Sequence, residues 1–265
     1  MRKHRISTAS QLVRFVNACG FCYAFTQPEG DLAIPACFDH LATRSVDRMW
    51  GWMWSWKDEL PERGKLYYGK LLRAKPTFVS LAFLPVFYAV HGRAGEEDDY
   101  LEDVRAGRLS DVARRVYEAL AEKGETQTKR LRAELGISSN EGRTAYAKAM
   151  EELQRLMYVT RVRAVGEGRE DYNYTYDLFA RRYPDAVVAA ASLSSLAAMA
   201  RILARTLELA GAVPRRRLAK QFGWEEERTE RVIATLEGER GLVQTGTGKD
   251  QLLVLERLAM QAGIR

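Results

Sequence analysis

A succession of helix, short helix, long helix and β-hairpin occurs twice in the 265-residue sequence, at 108–182 and at 190–265. This order predicts a mainly α-helical α+β fold made of tandem winged helix-turn-helix units, in which the small β-hairpins are the wings. The N-terminal stretch 1–90, which is rich in aromatic residues, is interpreted as a third and more divergent winged-helix-like unit. Residues 91–107 combine glycines with a run of acidic residues and are predicted to form an exposed connection.

The composition is that of a folded protein with a weakly basic balance of charge. Hydrophobic residues make up 46% of the chain and charged residues 29%, which is too apolar for intrinsic disorder. The formal net charge of +6 is compatible with a polyanionic partner. No apolar run reaches the roughly 20 residues that a membrane span needs, and three cysteines are an odd number for a secreted disulfide framework. We therefore expect a cytoplasmic protein without membrane association.

Capping residues and helix breakers define the elements of the first copy. Ser110 is a suitable N-cap for an amphipathic helix, and Gly124 is a natural stop for it. A short helix ends at Gly136, and Ser139 or Asn140 caps the long helix that follows. The predicted helices are 111–123, 128–135 and one that begins near residue 140, and the predicted strands are 158–165 and 172–179.

The second copy repeats the first at a constant offset of 87 residues, so that Leu131 aligns with Leu218 and Gly136 with Gly223. A repeat of a whole unit indicates the fold more strongly than either copy alone. Pro214 is expected at the first position of the short helix, where its missing N–H costs nothing. The predicted helices are 193–209, 214–222 and 225–236, and the predicted strands are 242–245 and 251–255, joined by a turn at 246–250.

The N-terminal unit contains an unusual alternation of tryptophans, at Trp50, Trp52, Trp54 and Trp56. A period of two is typical of a strand, whose successive side chains point to opposite faces. The sequence therefore predicts an extended segment over 49–56.

The first complete copy carries the side chains that a DNA-reading helix-turn-helix requires. Lys and Arg neutralise phosphates, and Asn and Arg can make bidentate contacts to base edges. The residues predicted to bind DNA, on the short helix, at the start of the long helix and on the wing, are Lys129, Arg130, Arg132, Ser139, Asn140, Arg143, Lys148, Arg161, Arg163 and Arg169. The alternative is that these residues form the solvated face of a structural or dimerising unit.

The second copy is less suited to reading bases. Its long helix begins with Glu225, Glu226 and Glu227, which suit the helix dipole but would face the phosphates unfavourably. Its basic residues are predicted to contact the DNA backbone instead, and they are Arg215, Arg216, Arg217 and Lys220. Sequence-dependent contacts are therefore assigned to the first copy.

The three cysteines and one histidine have the spacing Cys-x2-Cys-x14-Cys-x2-His, formed by Cys19, Cys22, Cys37 and His40. That spacing is compatible with a four-ligand zinc site. The first two cysteines lie among aromatic and aliphatic residues, where small buried thiols are ordinary packing. We predict packing, without a bound metal or other cofactor, and zinc is the alternative.

Aromatic residues are interleaved with Lys and Arg between residues 54 and 88. A surface that stacks on bases and neutralises phosphates has this composition, and Trp54 and Trp56 are the predicted stacking residues. Alternatively, the tryptophans form the core of the N-terminal unit while the lysines extend along it towards the solvent.

This block, with Gly20-Phe21-Cys22 before it and the double winged helix after it, resembles the AlkZ-related branch of the AlkZ/YcaQ DNA glycosylase superfamily. The resemblance covers most of the chain and is most specific over 54–88. It implies tandem winged helices around a DNA-binding concavity and the excision of alkylated or crosslinked bases. The superfamily's catalytic feature is a Gln-x-Asp or Gln-x-Gln triplet, which positions a water and stabilises the developing sugar cation.

The sequence departs from that catalytic pattern. The corresponding stretch, 20–27, has no such triplet, and the one Gln-x-acid string of the region, at 27–29, contains a proline. A lysine nucleophile or an aspartate base could replace the missing chemistry, although an ion pair that braces the tryptophans is the favoured interpretation of Lys57 and Asp58. The candidate catalytic residues are Lys57, Asp58, Tyr67, Tyr68 and Lys70.

Three functions are compatible with these observations. The favoured one is a protein that binds double-stranded DNA and lacks the superfamily's glycosylase chemistry. The second is an active DNA glycosylase that uses a different constellation, and the third is a transcriptional regulator that acts as a dimer. The sequence leaves the oligomeric state, the lesion and the DNA sequence open.

Overall fold

In the part of the chain that the structure describes, three small antiparallel sheets, each of three strands, follow one another. We analysed a computed structural model, which describes residues 6–27, 32–96, 98–137, 139–166, 172–248 and 251–262. Helices predominate around the sheets, as the predicted α+β class requires. Each sheet belongs to a segment with the order helix, strand, short helix, long helix, strand and strand.

The first segment contains a sheet of order β1-β3-β2. Its elements are α1 (Ala9–Cys19), β1 (Phe21–Tyr23), a short 3-10 helix (Cys37–His40), α2 (Val46–Glu62), β2 (Tyr67–Leu72) and β3 (Lys75–Val79). Thr8 caps α1 in a capping box with Gln11. Two further helices, α3 (Leu84–Ala89) and α4 (Asp99–Arg105), lead to the next segment.

The second segment contains a sheet of order β4-β6-β5. Its elements are α5 (Asp111–Lys123), β4 (Thr126–Gln127), α6 (Thr128–Glu134), α7 (Asn140–Arg155), β5 (Val159–Val165) and β6 (Asn173–Leu178), followed by α8 (Phe179–Arg182) and α9 (Pro184–Ala190). The predicted caps are confirmed, because the hydroxyl of Ser110 accepts from the Ala113 N–H and that of Ser139 from the Gly142 N–H.

The third segment contains a sheet of order β7-β9-β8. Its elements are α10 (Ser195–Ala210), β7 (Ala212–Pro214), a 3-10 turn (Arg215–Arg217), α11 (Leu218–Phe222), α12 (Glu226–Arg240), β8 (Leu242–Thr245) and β9 (Leu252–Leu255), followed by α13 (Glu256–Ala262). The prediction that Pro214 begins a helix is wrong. Pro214 ends β7 opposite Leu252, where a strand tolerates a residue that cannot donate a hydrogen bond.

The predicted extended segment at 49–56 is also wrong, because these residues lie inside α2. Residues spaced by four share one face of a helix, so the alternation separates into two pairs on different faces. Trp52 stacks on Trp56 at 5.5 Å between ring centroids, while Trp50 and Trp54 face solvent. The helix is capped by Ser45, whose hydroxyl accepts from the Arg48 N–H.

The largest hydrophobic cluster is shared between the segments rather than confined to one of them. It runs from Phe21 to Leu255 in sequence and includes Phe179, whose ring is fully buried. Phe179 stacks on Tyr88 at 5.1 Å and meets Tyr67 edge-on at 5.9 Å. A residue of the second segment therefore packs directly on the first.

No single helix among the described residues is both long and apolar enough to cross a membrane. The pair α9 and α10 passes that test only when taken together, with a bend of 105° between the two helices.

Candidate functional site

Helix α7 presents one polar face to solvent and one apolar face to the core. The residues Asn140, Arg143, Thr144 and Lys148 are all exposed and follow the i, i+3, i+4, i+8 spacing of a single face. The opposite face is buried by Tyr146, Ala149, Met150 and Leu153. The predicted base-reading residues of the first copy are therefore brought together on an accessible surface.

The remaining basic residues predicted for this copy lie in three different settings. Lys129 and Arg130 are exposed on α6, where Arg130 pairs with Glu134 at 3.0 Å, while Arg132 is half-buried. Arg163 on β5 is exposed and forms an ion pair with Glu125. Arg169 lies outside the described residues.

In the third segment, some of the basic residues already have partners within the protein. Arg215 forms an ion pair with Glu230 and donates to the side chain of Gln244 at 2.7 Å. Arg216 and Lys220 are exposed, and Arg217 is half-buried. Glu225, Glu226 and Glu227 at the start of α12 are exposed.

Lys57 and Asp58 lie at the junction between α2 and the β5–β6 hairpin of the second segment. The Lys57 Nζ lies 2.7 Å from Asp58 Oδ2, and the side chain of Lys57 is only 3% exposed. The same nitrogen donates to the hydroxyl of Tyr172 at 2.6 Å and to that of Tyr174 at 3.3 Å. All three ammonium hydrogens therefore have acceptors within the protein.

The carboxylate of Asp58 is equally surrounded by donors. It accepts from Lys57 through both oxygens and from the Tyr172 hydroxyl. The guanidinium of Arg161 lies 3.7 Å from Oδ1 of Asp58 and stacks on Tyr174, with 3.4 Å between its central carbon and the ring centroid. We call these five residues, Lys57, Asp58, Arg161, Tyr172 and Tyr174, the buried charge cluster.

Tyr172 and the neighbouring Tyr68 have raised pKa values. Burial and the hydrogen bond to Asp58 raise the pKa of Tyr172 well above its usual value. Burial raises the pKa of the neighbouring Tyr68 to about 12, even though Arg161 opposes the shift. At neutral pH these phenols are protonated, so Tyr172 can act as a hydrogen-bond donor to Asp58.

Not all of the predicted catalytic residues join the cluster. Tyr68 borders Arg161 at 5.2 Å, but Tyr67 lies on the opposite side of β2 and packs against Phe179. Lys70 is exposed further along the same strand. Sequence reasoning missed Tyr172 and Tyr174, although their alternation before the end of β6 was a visible signal of a half-buried strand.

The two predicted stacking tryptophans are separated by the helical geometry of α2. Trp54 is 51% exposed, with its ring 4.0 Å from the Nζ of Lys57, whereas Trp56 is buried against Trp52. Of the two predicted stacking residues, only Trp54 is therefore placed to meet a ligand from solvent.

The cysteines lie in the interior of the first segment. The Sγ atoms of Cys22 and Cys37 are 3.3 Å apart, and His40 packs against Phe15 at 4.8 Å between ring centroids. Burial and the neighbouring Cys22 raise the pKa of the Cys19 thiol to about 12. Among the described residues, no three His, Cys, Asp or Glu side chains converge as metal ligands would. The packing interpretation of the cysteines agrees with their burial, and the zinc question stays a prediction.

A cavity of about 290 Å³ lies away from the buried charge cluster. Its walls come from all three segments and include Leu71, Arg155 and Trp224. None of the described residues that line it belongs to α2. The cavity is therefore separate from Trp56 and does not form a base-binding pocket beside it.

Comparison with known proteins identifies the class to which this arrangement belongs. The family model described as AlkZ related matches residues 6–223, which is more than half of the chain. The chain therefore belongs to the AlkZ-related family, and the resemblance predicted from the sequence is confirmed.

The structure is similar to that of the Streptomyces sahachiroi DNA glycosylase AlkZ, with a TM-score of 0.50 and 12% sequence identity. The matched region covers 75% of this chain and 54% of that one, so the chain spans about half the length of the glycosylase structure. At this identity the similarity concerns the fold alone. A comparison with curated proteins gives no match.

Proposed function

We propose that this AlkZ-related protein binds double-stranded DNA and that its three segments are winged helices. The observation that carries the proposal is the exposed face of α7, which groups Asn140, Arg143, Thr144 and Lys148 opposite an apolar face. A recognition helix that enters the major groove presents its N-terminal residues in this way. The repeated element order and the identical strand order of the three sheets support the assignment of wings to the hairpins.

The proposal assigns the buried charge cluster a bracing role rather than a catalytic one. A lysine nucleophile must be a free amine, but the Lys57 Nζ donates to Asp58 and to two tyrosines. A general base needs a free oxygen lone pair that faces the substrate, whereas the Asp58 oxygens already accept from Lys57 and Tyr172. The cluster therefore joins α2 to the second segment and supports Trp54 from below.

Replacing Arg143 or Lys129 by alanine is expected to weaken binding to duplex DNA. If the residue contacts a phosphate, affinity should fall on every sequence and the slope of log affinity against log salt should decrease by about 0.9. If Arg143 reads a base, the loss should be about 1–3 kcal/mol and restricted to a preferred site. Fluorescence anisotropy over a salt series measures both quantities.

Two variants provide matched controls for that experiment. Arg201→Ala removes an exposed arginine from α10 and should leave the salt slope unchanged. Glu226→Gln should be neutral or slightly improve binding, since it removes a negative charge near phosphates. Unchanged affinity in the Arg143 and Lys129 variants, with a large loss on replacing Arg215, Arg216 and Arg217, would move the DNA to the third segment.

A glycosylase that uses a different constellation is the second candidate function. The observation in its favour is that Tyr172, an ionisable group in a strongly perturbed environment, lies beside the exposed Trp54, with 5.5 Å between the ring centroids. Functional sites are enriched in such groups, although structural ion-pair networks also produce them.

Duplexes that carry N-alkylated or crosslinked bases distinguish the two functions. We expect retention of these duplexes without release of the modified base. The same assay with Asp58→Asn and with the exposed control Asp47→Asn tests the alternative directly. A burst of released base would establish the glycosylase, and its loss in an Asp58→Asn protein that is still folded, with Asp47→Asn unchanged, would contradict the bracing role.

A further inference from the structure

Helix α2 carries a line of large apolar side chains on its solvent face. Val46, Trp50 and Trp54 are spaced by four residues and are 62%, 46% and 51% exposed. Residues at this spacing lie one above the other along a helix. We call these three residues the tryptophan ridge.

Both rings of the ridge are held from beneath. Trp50 stacks on Phe25 at 5.2 Å with an interplanar angle of 27°, and its ring lies 5.1 Å from Phe38. Trp54 lies over the ammonium of Lys57 and within 5.5 Å of the Tyr172 ring. Rings fixed before a ligand arrives lose little conformational freedom on binding, which favours a role in recognition.

Exposed basic residues lie near the N-terminal end of the ridge. Gly51, one residue after Trp50, is exposed, and apart from its chain neighbours and the helix backbone no described heavy atom lies within 4 Å of the position where a Cβ would be. Arg44 precedes α2 and Arg48 lies on a different face of the helix from the ridge, while Asp47 is exposed on the side of the ridge. Exposed aromatic rings match the π-faces of nucleotide bases, and nearby arginines can meet the adjoining phosphates.

We propose that the tryptophan ridge stacks on bases that are not paired, at a bulge or an opened base step in otherwise duplex DNA. The inference rests on the proposed DNA-binding function and adds the kind of DNA that the protein prefers. A fully paired helix hides the faces of its bases, so it offers the ridge only its edges and phosphates. An unpaired nucleotide exposes a ring face, and the ridge can bury apolar area against it.

The test compares a fully paired duplex with the same duplex carrying one unpaired 2-aminopurine. Stacking on an aromatic side chain corresponds to roughly a 10-fold gain in affinity for one base. We expect the wild-type protein to prefer the bulged duplex by about that factor and to quench the 2-aminopurine fluorescence. Trp54→Leu should abolish both effects while it changes the affinity for the paired duplex by less than about 2-fold, since phosphate contacts made elsewhere supply that affinity.

Three further variants complete the design. Trp54→Phe keeps an aromatic ring and should restore part of the preference, and Trp50→Leu should reduce it. Val188→Ala removes an apolar side chain that is 75% exposed on α9 and should change nothing. Circular dichroism and the thermal midpoint of each variant identify any that fail to fold. If Trp54→Leu does not fold, Trp54→Phe and Trp50→Leu carry the comparison.

The possible failures are distinguishable. If the wild-type protein binds no duplex at all, both the proposed function and this inference fail. If it binds paired and bulged duplexes equally, with a salt slope that depends on Arg143, the DNA-binding proposal stands and the role of the ridge is overturned. A preference for the bulge that survives in both Trp54→Leu and Trp50→Leu would also overturn it.

Discussion

Replacing Asp58 by alanine is expected to lower the free energy of unfolding by about 3–5 kcal/mol. The substitution removes the only carboxylate that the structure places in ion-pair distance of the Lys57 ammonium among the described residues, and that ammonium is 3% exposed. An uncompensated buried charge is strongly destabilising, because neither water nor a counter-ion replaces the lost partner. Urea titration followed by circular dichroism measures the change.

The control for this prediction is the removal of both charges. In the double variant Lys57→Met, Asp58→Ala the Lys57 charge is gone and only Arg161 loses its carboxylate partner, so the variant should be more stable than Asp58→Ala alone. Tyr172→Phe removes the hydrogen bonds that this hydroxyl makes with Asp58, Lys57 and Tyr174 and should cost about 1–3 kcal/mol. A loss below about 1 kcal/mol in Asp58→Ala would mean that water reaches Lys57 and that the cluster does not brace α2.

Phe179→Ala is expected to lower the free energy of unfolding by about 3–5 kcal/mol, because it creates a cavity at the contact between segments. The ring is fully buried and packs on Tyr67, Tyr88 and Tyr183. Its removal leaves a cavity beside these rings, because the surrounding backbone can only partly collapse. Met260→Ala, which alters a side chain that is 69% exposed, should change the unfolding free energy by less than about 0.5 kcal/mol.

The same denaturant series contains a second readout. If Phe179 joins the segments into one cooperative body, its removal should broaden the transition or separate the signals of the N-terminal tryptophans and of the backbone. A single sharp transition at an unchanged midpoint would contradict the importance assigned to this contact.

Local signals in the sequence were sufficient for the helices of the second segment. Helix α5 begins after the capping Ser110 and ends at Gly124, and Ser139 is the N-cap of α7. These interactions lie within a few residues, so pattern reasoning detects them. The alternating N-terminal tryptophans led to a wrong prediction, because a period of two is typical of a strand. The helix is favoured by the burial of one of its faces, formed by Met53, Trp56, Lys57 and Leu60.

The candidate site was predictable only in part. The pairing of Lys57 with Asp58 is local, whereas Tyr172 comes from an element more than 100 residues later in the chain. The sequence predicts Arg161, like Arg163, as a DNA-binding residue on the wing. The register of β5 against β6 shifts between these two arginines, and such a bulge directs neighbouring side chains differently, so Arg161 turns towards Asp58.

The shared hydrophobic cluster joins the C-terminal segment to the region that the family model matches. The family match ends at residue 223, yet the cluster continues through Val232, Ile233, Leu236 and Leu253. A chain cut after residue 223 would leave the apolar surface of α10 exposed to water and prone to self-association. The residues after 223 are therefore a structural part of the fold, and a variant without them would need a polar α10 or a second subunit to cover it.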